Sequence, residues 1–214
     1  MAEILSPNML KTFDKCPKKF FFKYIKRISM PVDNKIFTTG KNIHALASYY
    51  LKKENIDNME LALTEKEKDI WNYLKNSKYF SYEVVGVEYN LFFKIQNYIF
   101  GGRLDALVKQ NDRYYILDYK TGSAPKNAKF DFQTIVYLIA VSTYFKAENV
   151  TFVYLDLKNR EETLIELSEE LMREYKQKLT DTAAKIEKSD FHITAGNCKT
   201  CEYGIICYDK KISD

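Results

Sequence analysis

Glycine and proline are scarce in this sequence, at seven and four in 214 residues. A chain so poor in both does not carry long disordered linkers, and its length suits one domain with at most a small subdomain. Long apolar runs are missing too. The longest, Ile135 to Val141, falls far short of the roughly 20 residues that a membrane-crossing helix needs. Met1-Ala2-Glu3-Ile4 lacks the basic-then-apolar opening of a secretory leader. The expectation is a soluble, cytoplasmic protein with no membrane partner. Neither sign of charge dominates. A net charge of +4 permits a polyanionic partner without demanding one. Lysine outnumbers arginine, so most of the positive charge is compact, solvated ammonium. With only four cysteines and a reducing compartment, disulfides are not expected.

What is present has a clear order. Ser6-Pro7 predicts an N-cap with proline at the first helical position and a helix to about Lys15. Pro17 restarts a second helix through Tyr24. Residues 37–54 and 62–77 predict two more. From Tyr82 onward the character changes. Glu83 to Phe93, Tyr98 to Lys109 and Arg113 to Lys120 are rich in Val, Tyr and Phe, which predicts strands. Asn111-Asp112 between the last two suits a tight hairpin turn with positive φ. Residues 128–146 place Phe132, Ile135, Val136, Ile139 and Thr143 at helical spacing. Val150 to Leu157 and Glu162 to Leu167 predict two further strands, and Ser168 caps a last helix to about Lys188. The expected organisation is an α/β core with a mixed sheet. A helical N-terminal region (1–82), a core (83–190) and a cysteine-bearing tail (191–214) form one domain, with no internal repeat.

Three residues of the meander carry chemistry. Asp118 and Lys120 lie two apart on a strand and so share a face. A register centred on Asn111-Asp112 puts Asp105, in Gly101-Gly102-Arg103-Leu104-Asp105, opposite Asp118. Facing carboxylates repel unless a cation lies between them, and hard divalent cations such as magnesium or manganese prefer carboxylate oxygen. A lysine beside such an ion can position the attacking water and stabilise charge building on a phosphate. The plain alternative is a surface hairpin with ordinary charges.

Gly102-Arg103-Leu104-Asp105, then Asp118-Tyr119-Lys120-Thr121-Gly122, then Gln133-x-x-x-Tyr137 resembles the PD-(D/E)XK nuclease superfamily in its RecB-like branch. The resemblance implies a restriction-endonuclease-like core, with Asp105, Asp118 and Lys120 as the catalytic acidic and lysine motifs. It also implies that Gln133 and Tyr137, at i and i+4 on one helix face, border a DNA strand. Gly40-x-x-x-His44 resembles the branch's histidine motif and implies a further metal ligand. Similar nucleases carry a glutamate on the first strand, which would be Glu88; a half-exposed strand acid explains that residue equally well.

The cysteines extend the likeness. Cys198-x-x-Cys201, then Cys207, with Cys16 far upstream in Phe13-x-x-Cys16-Pro17-x-x-Phe20, resembles the cysteine clamp of iron–sulfur nucleases such as the AddB type and the CRISPR-associated fourth Cas protein. Pro7-Asn8 departs from the pattern, where a second serine is common. The implied cofactor is a 4Fe–4S cluster on Cys16, Cys198, Cys201 and Cys207, in a structural role. A four-thiolate zinc site fits the ligand count as well. The implied activity is a metal-dependent deoxyribonuclease acting as an exonuclease on single-stranded ends. The implied setting is spacer acquisition with Cas-one and Cas-two type partners, or DNA repair. A non-catalytic DNA-binding scaffold and a zinc-stabilised duplex endonuclease stand as alternatives. Lys15, Lys18, Lys19, Lys23, Lys26 and Arg27, interleaved with Phe20, Phe21, Phe22 and Tyr24, can track phosphates and stack on bases, or simply surround a packed aromatic lobe. Lys126 and Lys129 follow the Asp-x-Lys strand and are placed to meet a phosphate.

Overall fold

The computed structural model describes residues 4–31, 38–192 and 198–207. Its elements run β1 (Ile4–Leu5), α1 (Pro7–Lys15), α2 (Pro17–Phe20), α3 (Thr38–Leu51), α4 (Asp57–Leu61), α5 (Glu65–Lys75), β2 (Glu83–Ile95), β3 (Tyr98–Gln110), β4 (Arg113–Lys120), α6 (Phe132–Phe145), β5 (Val150–Asp156), β6 (Glu161–Glu166), α7 (Glu169–Glu187) and α8 (Gly204–Cys207). The expected α/β architecture with a mixed sheet is what forms. Of the expected tail, residues 191–214, only 191–192 and 198–207 are described, and residue 37 of the third expected helix also lies outside the described residues. Among the described residues no helix is long and apolar enough to cross a membrane.

Local signals explain most element ends. The Ser6 hydroxyl accepts the Met9 N–H and Pro7 opens α1; the Ser168 hydroxyl accepts the Leu171 N–H and opens α7. Asn111 takes φ 56° in the β3–β4 turn, as the hairpin requires. Three expectations need correction. The helix expected over 62–77 forms as α5 but starts later, at Glu65, because Thr64 and Glu67 form a reciprocal capping box there, and the short α4 before it was not expected. The second N-terminal helix loosens after Phe20 into a wider turn, with the Lys26 N–H donating to the Phe21 carbonyl. The N-terminal region is also not wholly helical, because Ile4 and Leu5 pair in parallel with Ile99 and Phe100.

The six-stranded sheet has β4 and β5 in parallel at its centre, joined by the α6 crossover; outside them β2–β3, β3–β4 and β5–β6 pair antiparallel and the short β1 pairs β3 in parallel. Side-chain alternation gives it two apolar faces. Ile116, Phe152 and Tyr154 join the core made with α1, α6 and α7. Leu117, Tyr119, Val153 and Leu155 join a second core made with α3 and α5. The sheet is thus covered on both sides, and every residue of β5 is buried. Helix α6 is buried continuously from Thr134 to Val141, so the one-sided pattern read from its sequence understates its burial.

Strand β3 carries the feature that makes a site. Strand β2 pairs along the whole of one edge of it, so β1 and β4 share the other. Strand β1 takes Ile99 and Phe100, β4 takes Ala106 to Gln110, and among the described residues the Gly101–Asp105 stretch between them has no strand on that side. The Tyr137 hydroxyl reaches in and donates to the Arg103 carbonyl at 2.8 Å. Gly102 permits this approach, since a Cβ there would lie 3.1 Å from that hydroxyl. Gly101 is more tightly fixed: its φ is +159° and a Cβ would run into the Leu91 carbonyl oxygen. Gly101→Ala is therefore expected to cost about 2–4 kcal/mol of stability, seen as a lower denaturant midpoint, whereas Gly102→Ala costs less. An unchanged midpoint for Gly101→Ala would contradict this packing.

Candidate active site

The site forms where β3 and β4 part. Their ladder keeps the expected register down to Ala106 opposite Leu117 and stops one step before Asp105 and Asp118. In place of a ladder bond, Asp105 Oδ2 accepts the Tyr119 N–H at 3.1 Å. The freed end of β3 turns the Asp105 carboxylate toward α3.

There it meets His44, whose Nδ1 lies 3.4 Å from Asp105 Oδ1. The other imidazole nitrogen, Nε2, donates to the Tyr119 carbonyl at 2.9 Å, and the ring packs edge-on against Tyr119. This is the arrangement that orients a metal-ligating histidine: one ring N–H tied to a carbonyl, the other nitrogen presented. Burial opposes a charge on His44, but the Asp105 carboxylate outweighs it and the imidazole pKa is raised. A cation on Nδ1 would have to displace that proton.

Glu88 completes the group. One ligand atom each from His44, Glu88 and Asp105 all lie within 4.8 Å of one another. Glu88 stands across from Asp105 on β2, at a residue with φ 50°, a conformation that costs energy in a non-glycine residue and collects at functional positions. Its carboxylate also takes the Arg103 Nε at 2.8 Å. Glu88 is a half-exposed strand acid that also lies within reach of His44 and Asp105.

Asp118 sits beside this group with different partners. It is buried, and Oδ1 accepts the Gln133 Nε2–H at 3.1 Å. Lys120 Nζ lies 2.7 Å from Oδ2 without forming a directed hydrogen bond to that buried oxygen. Lys120 in turn donates to Gln133 Oε1 at 3.1 Å and lies over the Tyr154 ring. The expected facing pair is therefore adjacent but does not close on one point: Asp105 turns to His44 and Glu88, and Asp118 to Lys120 and Gln133. The underused Oδ2 atom and the carboxylate–imidazole group are the donor set a hard divalent cation takes, so the residues present fit such an ion.

Helix α6 supplies Gln133 because Asp131 caps it, accepting the Gln133 N–H. Lys11 of α1 holds the same carboxylate at 2.6 Å. Neither Asp131 nor Tyr154 was singled out by motif. The Asp just before an apolar helical run was a readable cap; nothing local marked Tyr154. Arg103 lay inside a quoted motif without a role. Lys129 extends over Phe130 and is exposed, as is Lys126.

The described part of the tail lies on the N-terminal arm. Tyr203 stacks on buried Phe22 and donates to the Ile28 carbonyl, and Lys19 pairs with Glu202 at 2.8 Å. Burial raises the Cys207 thiol pKa, and the charges of Cys16, Cys198 and Cys201 raise it further. Phe20 joins the main core and stacks on Phe191. Lys18, Lys23 and Lys26 lie over the arm's aromatic rings.

Residues 4–78 and 61–208 match the PD-(D/E)XK nuclease superfamily. The chain belongs to that superfamily and is a nuclease. Over 126 residues it is 28% identical to the CRISPR-associated exonuclease Cas4 of Francisella tularensis subsp. novicida (strain U112), a match that takes in 57% of this chain and 63% of that protein's length, under two thirds of it. Among solved structures, a protein of Eubacterium rectale named as an exonuclease aligns over 95% of this chain and 88% of its own, at 13% identity and a TM-score of 0.60. That is a likeness of fold.

Asp118 gives a stability prediction. Burial first, and the Asp105 charge second, push its pKa from 3.8 up to about 6 against the pull of Lys120. A carboxyl easier to bury protonated costs nothing extra below the lower value, and destabilises the fold as pH rises through the interval. The cost is complete above about 6, on the order of 3 kcal/mol. In EDTA at pH 8, Asp118→Asn should melt several degrees above the parent, with the gain shrinking toward pH 4. A variant less stable than the parent at pH 8 would refute this account.

Proposed function

We propose that this nuclease is a divalent-metal-dependent deoxyribonuclease acting as an exonuclease on single-stranded ends. The observation that carries the reading is the convergence of His44, Glu88 and Asp105 within 4.8 Å, beside the buried Asp118–Lys120–Gln133 array. Asp105, Asp118 and His44 would hold the magnesium or manganese ion, with Glu88 added from its position. Bound there, the ion supplies Lewis acidity toward a phosphoryl oxygen and a lowered pKa for water.

The protein's own residues do the positioning. Gln133 and Asp118 fix the Lys120 ammonium from two sides, so it enters the reaction already oriented toward water and the charge that builds on phosphate. Gln133 changes no charge and serves as the spacer between carboxylate and ammonium. Tyr137 binds the Arg103 carbonyl and keeps the β3 edge open, which leaves Asp105 free to face the substrate. The N-terminal region, core and tail act as one nuclease domain. The likeness to the Francisella exonuclease supports trimming of DNA ends before integration, with Cas-one and Cas-two type proteins as partners.

The four cysteines are read as ligands of a structural 4Fe–4S cluster. A four-thiolate zinc site fits the same ligand count. The cluster's role is to fasten the tail to the α1–α2 junction.

With labelled single-stranded and duplex DNA and manganese, the parent should degrade single strands preferentially. Asp105→Ala and Lys120→Ala should each lose about a hundredfold or more, and EDTA should abolish the activity. Parental rates in either variant would remove the catalytic assignment. Anaerobically purified protein should show a broad visible absorption with iron and sulfide, and Cys201→Ser should lose both the absorption and several degrees of melting temperature. A colourless, zinc-containing parent would overturn the cluster assignment, and an unchanged melting temperature would overturn its structural role.

A further inference from the structure

Helix α3 has two faces with opposite tasks. Ile43, Leu46, Ala47 and Leu51 enter the second core. Lys41, His44, Ala45, Ser48, Tyr49 and Lys52, spaced three or four apart or adjacent, line a groove of about 690 Å³ whose far wall is Glu88, Arg103 and Asp105. The groove begins at the candidate metal group, since His44, Glu88 and Asp105 line both. From His44 to Lys52 it runs about 12 Å along the helix.

The chemistry along that length is graded. Ala45 and Ser48 make a low floor in the middle. Lys41 stands at the metal end and Lys52 at the far end, and among the described residues neither has an ion-pair partner. Tyr49 is 43% exposed, with the Lys52 ammonium 6.0 Å from its ring centre. The only acids lining the groove are Glu88 and Asp105, which belong to the metal group. Apart from them the lining is cationic, small or aromatic. Cations that follow a backbone beside an aromatic platform are the pattern of sequence-tolerant single-strand binding. The volume is that of a small-molecule site, room for a short length of one strand.

We propose that this groove seats the single strand on one side of the scissile phosphate, with Tyr49 as a base-stacking platform and Lys41 and Lys52 as phosphate contacts. The proposal rests on the nuclease reading above and adds the path and form of its substrate. None of the three residues touches the reacting atoms, so each sets affinity for the strand and leaves the chemical step alone.

The test compares two substrates with manganese: a short thymidine oligonucleotide, and the p-nitrophenyl ester of thymidine 5′-phosphate, which has no flanking strand. Tyr49→Ala should raise KM for the oligonucleotide about tenfold, and Tyr49→Phe should restore it. Lys52→Ala and Lys41→Ala should each raise that KM several-fold and flatten its dependence on salt. The small ester should be turned over by all of them as by the parent. An unchanged oligonucleotide KM, or an equal loss on both substrates, would overturn the proposal. So would an equal loss of affinity for duplex, read by fluorescence anisotropy on the same variants. If the parent itself cleaves neither substrate, the nuclease reading fails instead, and anisotropy with the labelled oligonucleotide still judges the groove: parental binding by Tyr49→Ala refutes it.

Discussion

The bond from the Tyr119 N–H to the Asp105 carboxylate holds the rest of the site in place. A backbone N–H at a point where two strands separate must find an acceptor or bear the cost of burial unpaired. Here the acceptor is the acid itself. Because Asp105 replaces a ladder bond, β3 leaves β4 at Ala106, and the carboxylate points along the sheet edge toward α3. His44 closes the arrangement from the other side by donating to the carbonyl of the same Tyr119. One peptide segment therefore orients both groups, and the Tyr119 side chain locks that segment by lying buried in the second core.

The cost of this arrangement is electrostatic. Two carboxylates, one of them buried, sit near each other with a single ammonium between Asp118 and the solvent. Such an array is stable only because neighbouring elements over-determine it: Asp131 caps the helix that carries Gln133, Lys11 holds that cap, and Tyr154, tied to Thr134, backs Lys120. Stability drawn from well-packed surroundings is held as unfavourable charge at the place where chemistry is done, the usual trade between stability and activity.

Much of this was legible in the sequence, and the reason is locality. The β4 limits, the Asn111 turn, the register that brings Asp105 near Asp118, and the caps at Ser6 and Ser168 all follow from residues within a few positions of each other. The i, i+4 spacing of Gln133 and Tyr137 likewise puts them on one face. What escaped depends on distant contacts. Strand β1 is two residues long and has no period to read; it exists because β3 offers a free edge. The positive φ of Glu88, the contact of Arg103 with it, and the backing of Lys120 by Tyr154 arise from tertiary packing. The Thr64–Glu67 capping box was visible in the letters and fixes the start of α5 at Glu65, later than the apolar spacing suggested. His44 was suggested only by family likeness, and its docking needed the fold.

Helix α6 works as a fixed gauge. Gln133 at its start reaches Lys120 and Asp118 of one strand, and Tyr137 one turn later reaches Arg103 of another. Each residue advances a helix by about 1.5 Å and turns it by about 100°. An insertion or deletion of one residue between them would swing one contact away from the sheet. No compensating tilt is open to a helix buried on all sides. Substitutions along the gauge can be absorbed by repacking, but changes in its length cannot. The four-residue interval is thus a mechanical tolerance on the width of the opening between β3 and β4.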